Sequence, residues 1–308
     1  TVAEGFGFSA EQVLPFSTGV IGERLPMDRF MAVLPSAAEH LQDDSWSLAA
    51  QGIMTTDTRP KGASVLFTHE GVQVTVTGIT KGSGMIKPNM ATMLSYIATD
   101  LAVSQTVLQN LLKAATDCSF NRITVDGDTS TNDSNILIAT GQANLPCIDV
   151  AEGELYRKFA AAVTDINIQL AKAIVSDGEG ATKLVTVKVS GANNEDECVK
   201  VAYAVAQSPL VKTALFASDA NWGRIVAAIG YAGVEGLDDT LVTVHLDDVL
   251  IVEKGGRAAS YTEEQGAAVM QQEEITIDIN LGRGDYSDRV WTTDLSHDYV
   301  SINADYRS

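Results

Sequence analysis

Basic residues, metal-ligand spacings and paired cysteines are all scarce in this chain of 308 residues. Lys and Arg number 21 against 40 Asp and Glu, a formal charge of −19. A nucleic-acid surface needs a basic patch to displace counterions, so the balance argues against that class, and against binding to anionic membranes. It reads as a solvated, self-repelling surface that favours solubility; a high-salt habitat is the sharper alternative. His40, His69, His245 and His297 are scattered, none in a spacing such as HExxH, which argues against a zinc enzyme. The three cysteines, Cys118, Cys147 and Cys198, are odd in number and not spaced as ligands. They read as buried free thiols in a reducing cytoplasm. No apolar run reads as membrane-spanning, and the opening Thr-Val-Ala-Glu-Gly lacks a signal-peptide pattern.

What is present suffices for one large domain or two ordinary ones, since 45% of the residues are hydrophobic. Ser9 to Gln12 reads as a capping box opening a short helix, and 26–41 has helical periodicity. Residues 64–80 alternate around a turn at 70–71 and predict a β-hairpin. Val103, Leu108, Leu111, Leu112 and Ala115 mark one apolar helix face. Leu155, Phe159, Val163, Ile166, Leu170 and Ile174 mark a longer one. Strands are expected at 184–190, 241–253 and 274–282, and helices at 199–216, broken at Pro209, and at about 261–272. The polar stretch 191–197 is the candidate domain boundary. Strands and helices occur in both halves without a regular βαβ rhythm, which predicts a layered α+β fold.

Four stretches hold more Gly, Thr, Asn and Asp than packing requires. In Phe16-Ser-Thr-Gly-Val-Ile-Gly22, Thr18 and the backbone freed by Gly19 and Gly22 can aim donors at an oxyanion, though a plain strand-to-helix turn has the same composition. In 80–94, Gly82 and Gly84 are not followed by the GKT or GKS of a phosphate loop. The pair Ala91-Thr92 there fits self-cleavage to a threonine whose own α-amine activates its hydroxyl, and it equally fits a buried helix start. In 120–134, Asp126, Asp128, Asn132 and Asp133 break the EF-hand order and read as a turn network bonded to backbone, close to the site. In 176–182, Glu179 lies between two glycines, placed for a ligand cation or for solvent.

The blocks FSTGVIGE, IMTTDT, TGITKGSGMIKPNMATML, FNRITVDGDTSTNDS, SDGEGATK, ASDANWGRI and SINADYRS, in this order along the whole chain, resemble the ornithine acetyltransferase (glutamate N-acetyltransferase) family. The resemblance implies a precursor that cuts itself between Ala91 and Thr92, with Thr92 as nucleophile and Thr18 and Gly19 as oxyanion hole. It implies substrate binding by Thr55, Lys81, Thr92, Glu179, Asn303 and Ser308, the last a serine where the family often has threonine. It also implies an α/β/β/α-type self-processing domain over 1–192. A smaller α/β domain over 193–308 would follow, its tail closing the site. Family members usually carry a sizeable segment before the FSTG turn, so the chain is expected to correspond to part of such a precursor.

The implied reaction moves an acetyl group from N2-acetyl-L-ornithine to L-glutamate by a ping-pong route, without metal or redox cofactor, in cytoplasmic arginine biosynthesis. Acetyl-CoA is a second acetyl donor for some members, and the two cleaved chains would assemble as an α2β2 heterotetramer. Two rivals stand beside this reading. One is an amidase or peptidase with an N-terminal nucleophile, which would hand the acyl group to water. The other is an inactive truncated relative that serves only in assembly.

Overall fold

The computed structural model describes residues 2–88 and 93–305. It is an α+β structure in which helices are layered on two separate sheets. Three helices come first: α1 (Val2–Phe6), α2 (Met27–Glu39) and α3 (Trp46–Gly52). The helix expected over 26–41 is therefore present as α2, but it buries none of its side chains. The capping-box signal at Ser9 starts only a 3-10 turn, Ala10–Gln12, with the Gln12 side chain accepting from Ser9 N–H at 2.9 Å.

The first sheet has the order β1 (Lys61–His69), β2 (Val72–Lys81), β3 (Leu94–Thr99), β4 (Ser134–Ala139), with α4 (Gln105–Asp117) between the last two strands in sequence. The β1–β2 hairpin closes through Glu70 and Gly71, both with positive φ, the geometry of a tight two-residue turn. β2 alternates buried and half-buried residues from Val74 to Thr77, and its last four positions, 78–81, are all buried. That end carries Lys81, so the strand delivers a lysine into a covered region.

The long helix α5 (Gly153–Ser176) packs on β1 and β2. Its apolar stripe follows the expected spacing and buries Phe159, Val163, Ile166, Leu170 and Ile174. By length and composition α5 could cross a membrane, contrary to the reading of the sequence; half of its most apolar window is buried against the protein.

The second sheet has the order β10-β5-β9-β6-β7-β8. Along the chain it runs as β5 (Leu184–Ala192), α6 (Glu195–Ala206), α7 (Pro209–Phe216), α8 (Trp222–Gly230), β6 (Thr243–Leu246), β7 (Val249–Glu253), β8 (Gly256–Arg257), α9 (Glu263–Met270), β9 (Glu274–Asn280) and β10 (Tyr286–Thr292). α10 (His297–Asp305) ends the described chain. The polar stretch at 191–197 is the turn from β5 into α6, and both elements feed the second core. Leu184 still belongs to the first core and Val185 to the second, as β5 pairs with β9 and β10.

The expectation for the cysteines needs correction. Cys198 is buried, but Cys118 and Cys147 are exposed. Cys118 lies just past the end of α4 and Cys147 in the loop before α5, where neither faces a core.

Candidate active site

β2 ends at Lys81 and the chain turns through 82–86. α5 ends at Ser176, and Glu179 N–H donates to Ser83 O at 2.8 Å. The strand end and the helix end thus meet, and Lys81 and Glu179 come from opposite sides of that meeting. The loop after α3 brings Thr55 and Thr56, and Thr56 Oγ1 lies 2.6 Å from Ser83 Oγ. From the far end of the chain, α10 docks with Asn303 Nδ2 donating to Glu179 Oε2 at 2.7 Å.

The result is a cavity of about 310 Å³. Thr18, Gly19, Thr55, Lys81, Glu179 and Asn303, the described residues singled out by resemblance, all line it. Thr55 and Thr56, neighbours that could be confused in an alignment, both face it. Ala91, Thr92 and Ser308 lie outside the described residues. Leu94, the first residue of β3, pairs directly with Lys81 across the ladder. A larger cavity, about 390 Å³, is lined by apolar Phe16, Met93, Leu112 and Phe120 with Asp133 and Asn135, and Thr18, Gly19, Thr55, Lys81, Glu179 and Asn303 do not face it.

The 120–134 loop meets the expectation in part: Asp126 and Asn132 bond to backbone, and both oxygens of the buried Asp133 carboxylate lack a close hydrogen-bond partner among the described residues. Asp126 accepts from the backbone N–H groups of Met85 at 2.6 Å and Ile86 at 2.9 Å, and from Asp128 N–H at 3.2 Å. These bonds hold Met85 at φ 55°, a costly conformation for a side-chain-bearing residue. Tyr299 on α10 donates its hydroxyl to Asp126 Oδ2 at 3.3 Å, so one carboxylate links the turn after β2 to the C-terminal helix. Asn132 Nδ2 donates to Ser17 O at 3.3 Å and tethers the Thr18–Gly19 turn. Within that turn Gly22 takes positive φ and Gly19 does not.

Charge in the cavity is divided. Burial lowers the pKa of Lys81, while Asp57, Asp133 and Glu179 oppose the drop and Lys61 adds to it. Burial raises Asp133 to about 8, only partly offset by Met93 N–H and Lys81. Burial and then Asp126 raise the Tyr299 phenol, leaving it a neutral donor. The lining therefore offers one buried ammonium, the Glu179 carboxylate, Asp126 and Asp128, and several hydroxyls. That set matches a small zwitterion with a carboxylate at one end and an amine at the other.

Composition and periodicity did not single out Asp57, Ser83 or Tyr299. Ser83 lies in a quoted motif but has no distinguishing pattern, and Tyr299 belongs to a helix with no apolar stripe. Asp57 acts through a direct contact to Gly82, 25 positions away, and through Lys61, which bridges it to Asp177.

A sequence model described as the ArgJ family matches residues 1–308. Arginine biosynthesis bifunctional protein ArgJ of Pseudomonas fluorescens (strain Pf0-1) is 62% identical over 307 residues, covering all of this chain and 76% of that protein. The protein of the same name from Pseudomonas syringae pv. tomato is 61% identical with the same coverage. A crystal structure of arginine biosynthesis bifunctional protein ArgJ from Bacillus halodurans superposes with a TM-score of 0.64 at 39% identity, covering 67% of this chain and 96% of that one. With its full length matched and this degree of identity, the chain belongs to the ArgJ family.

Proposed function

We propose that the chain is a glutamate N-acetyltransferase that moves an acetyl group from N2-acetyl-L-ornithine to L-glutamate through an acetyl ester on Thr92. The observation that carries this reading is the convergence of Thr18, Gly19, Thr55, Lys81, Glu179 and Asn303 on one cavity. They come from five separate stretches of chain. The relatives' name, arginine biosynthesis bifunctional protein, supports the pathway and a second activity, which we assign to acetylation of glutamate from acetyl-CoA.

Thr92 Oγ first attacks the Ala91 carbonyl; the acyl group shifts from nitrogen to oxygen and the ester is hydrolysed. The freed α-amine, with an ordinary pKa of about 7.7–8.0, then serves as general base for its own hydroxyl. The hydroxyl adds to the acetyl carbonyl of acetylornithine, and the oxyanion is held by Thr18 and Gly19 N–H. One such donor is worth roughly 3–4 kcal/mol in other enzymes. The Thr92 amine returns the proton to the departing ornithine α-amine. Glutamate enters, its α-amine attacks the acetyl ester, and Thr92 is regenerated. This chemistry calls for no metal or redox cofactor.

Lys81 meets the α-carboxylate common to both amino acids, and Glu179 meets the ornithine side-chain ammonium. Asn303, hydrogen-bonded to Glu179, and Ser308 close the pocket. The cleaved pieces form an α2β2 assembly that works in the cytoplasm. The test is purified protein given acetylornithine and glutamate. N-acetylglutamate and ornithine in equal amounts support the reading, and acetate in place of N-acetylglutamate assigns an amidase. Intact chain with no fragment starting at Thr92 assigns an inactive relative. A parallel incubation with glutamate and acetyl-CoA decides the second activity.

A further inference from the structure

We propose that Asp57 is a positioning residue for this site: its buried carboxylate fixes Thr55 and the Gly82 turn and sets a negative charge beneath Lys81, the residue that receives a substrate carboxylate. The inference rests on the reading of Lys81 given above. The Asp57 side chain is fully buried and Lys61 is 1% exposed. Asp57 Oδ2 accepts from Thr55 N–H at 3.0 Å, and Oδ1 accepts from Gly82 N–H at 2.8 Å and from Lys61 Nζ at 2.5 Å. The Lys61 ammonium also donates to Asp177, which follows α5 and accepts from Thr58 N–H at 3.0 Å and from the Thr58 hydroxyl. Three stretches that line the cavity, 55–56, 81–84 and the turn at Glu179, are thereby pinned to one buried cluster.

The charge count explains why the cluster matters for Lys81. Asp57 and Asp177 against Lys61 leave one negative charge in a region closed to water, and the neighbouring Lys81 ammonium balances it. The charged groups around Lys81 are Asp57, Asp133 and Glu179, which favour its proton, and Lys61, which opposes it; burial opposes it most. Asp133 itself is raised to about 8 and is mostly neutral at neutral pH. Asp57 is therefore the principal counter-charge. Its own carboxyl stays ionised, because the Gly82 N–H, Lys61 and the Thr55 N–H outweigh the upward push of burial.

The experiment is calorimetric binding of L-ornithine from neutral to alkaline pH, with melting temperatures on the same samples. Asp57→Asn keeps the shape and removes the charge. It should weaken binding roughly tenfold or more, and affinity should fall away at a lower pH than in wild type. Lys61→Gln removes the repulsion on Lys81 and should move the alkaline loss to higher pH. Thr58→Val loosens the same cluster on the α5 side, so it should lower the melting temperature without moving the alkaline loss. An Asp57→Asn protein with wild-type affinity and an unmoved alkaline limb overturns the proposal, whatever its melting temperature. If Asp57→Asn does not fold, Lys61→Gln decides alone, and an alkaline limb that fails to rise overturns it. Wild-type protein that binds ornithine but transfers no acetyl group counts against the functional reading and leaves the binding comparison intact.

Discussion

A methyl group placed on Gly84 would sit 2.4 Å from the Glu179 carboxylate, far inside contact distance. The obstacle is the end of a flexible side chain, so Gly84→Ala can be relieved by moving Glu179. The expected outcome is a clear rise in KM for acetylornithine with stability within about 1 kcal/mol of wild type; a parallel fall in melting temperature would show that Glu179 is held rigidly. Gly180 differs. It has φ 68°, and an added Cβ would meet Ser296 Oγ at 2.4 Å and Tyr299 N at 2.6 Å, the latter backbone that cannot step aside. Asp133 gives a second residue-scale test. Its folded pKa of about 8 stands above the ordinary aspartate value of about 3.9. The folded state therefore keeps a proton that the unfolded chain releases, and stability drains away as pH rises from about 4 to about 8. Asp133→Asn should raise the melting temperature at pH 8 relative to wild type and leave it unchanged below pH 4. A difference independent of pH would refute the assignment of the slope to Asp133.

At the scale of elements, what the sequence made legible follows burial. The β1–β2 hairpin and the stripes of α4 and α5 could be read because one face of each enters the first core. α10 could not: none of its residues is buried, so no period marks it. It is held by polar bonds, Tyr299 to Asp126 and Asn303 to Glu179, to groups 173 and 124 positions away. β3 and β4 are parallel neighbours whose pairing depends on a connection running through α4, and neither has an alternating stretch long enough to stand out. The cavity residues were found through whole motifs resembling a family. Single residues such as Asp57 carry their meaning only in the folded contacts. A helix fastened at its polar edge suggests a direct test: deletion of residues 303–308 should leave cleavage at Ala91-Thr92 intact and sharply reduce acetyl transfer to glutamate. Mass spectrometry reads the first and product formation the second; normal transfer by the shortened chain would remove the tail from the site.

Across the whole molecule, the two cores are stitched together by the loop that also serves the cavity. Trp291 of β10 is buried in the first core, and its carbonyl accepts from Thr124 N–H at 3.0 Å. Arg122 pairs with Asp288 and Glu195, each at 2.8 Å, and Tyr203 of α6 donates to Asn121 O at 3.0 Å. Asp126 follows two residues after Thr124, so the site inherits its geometry from the joint between the cores.

β2 and β3 are antiparallel neighbours paired from Val76–Thr99 to Lys81–Leu94, and the proposed scission lies in the stretch of chain that joins them. A break there alters the molecularity of folding. One product carries α1 through β2, the other β3 through α10, and they would be held by a strand ladder and by α5 lying across β1 and β2. Unfolding the cut protein then releases two solutes from one, and its melting temperature should climb with protein concentration. Refolding of the cut, denatured material should follow second-order kinetics, whereas an uncleavable Thr92→Ala chain should refold at a rate indifferent to dilution. First-order recovery of the cut protein would mean that the pieces never part.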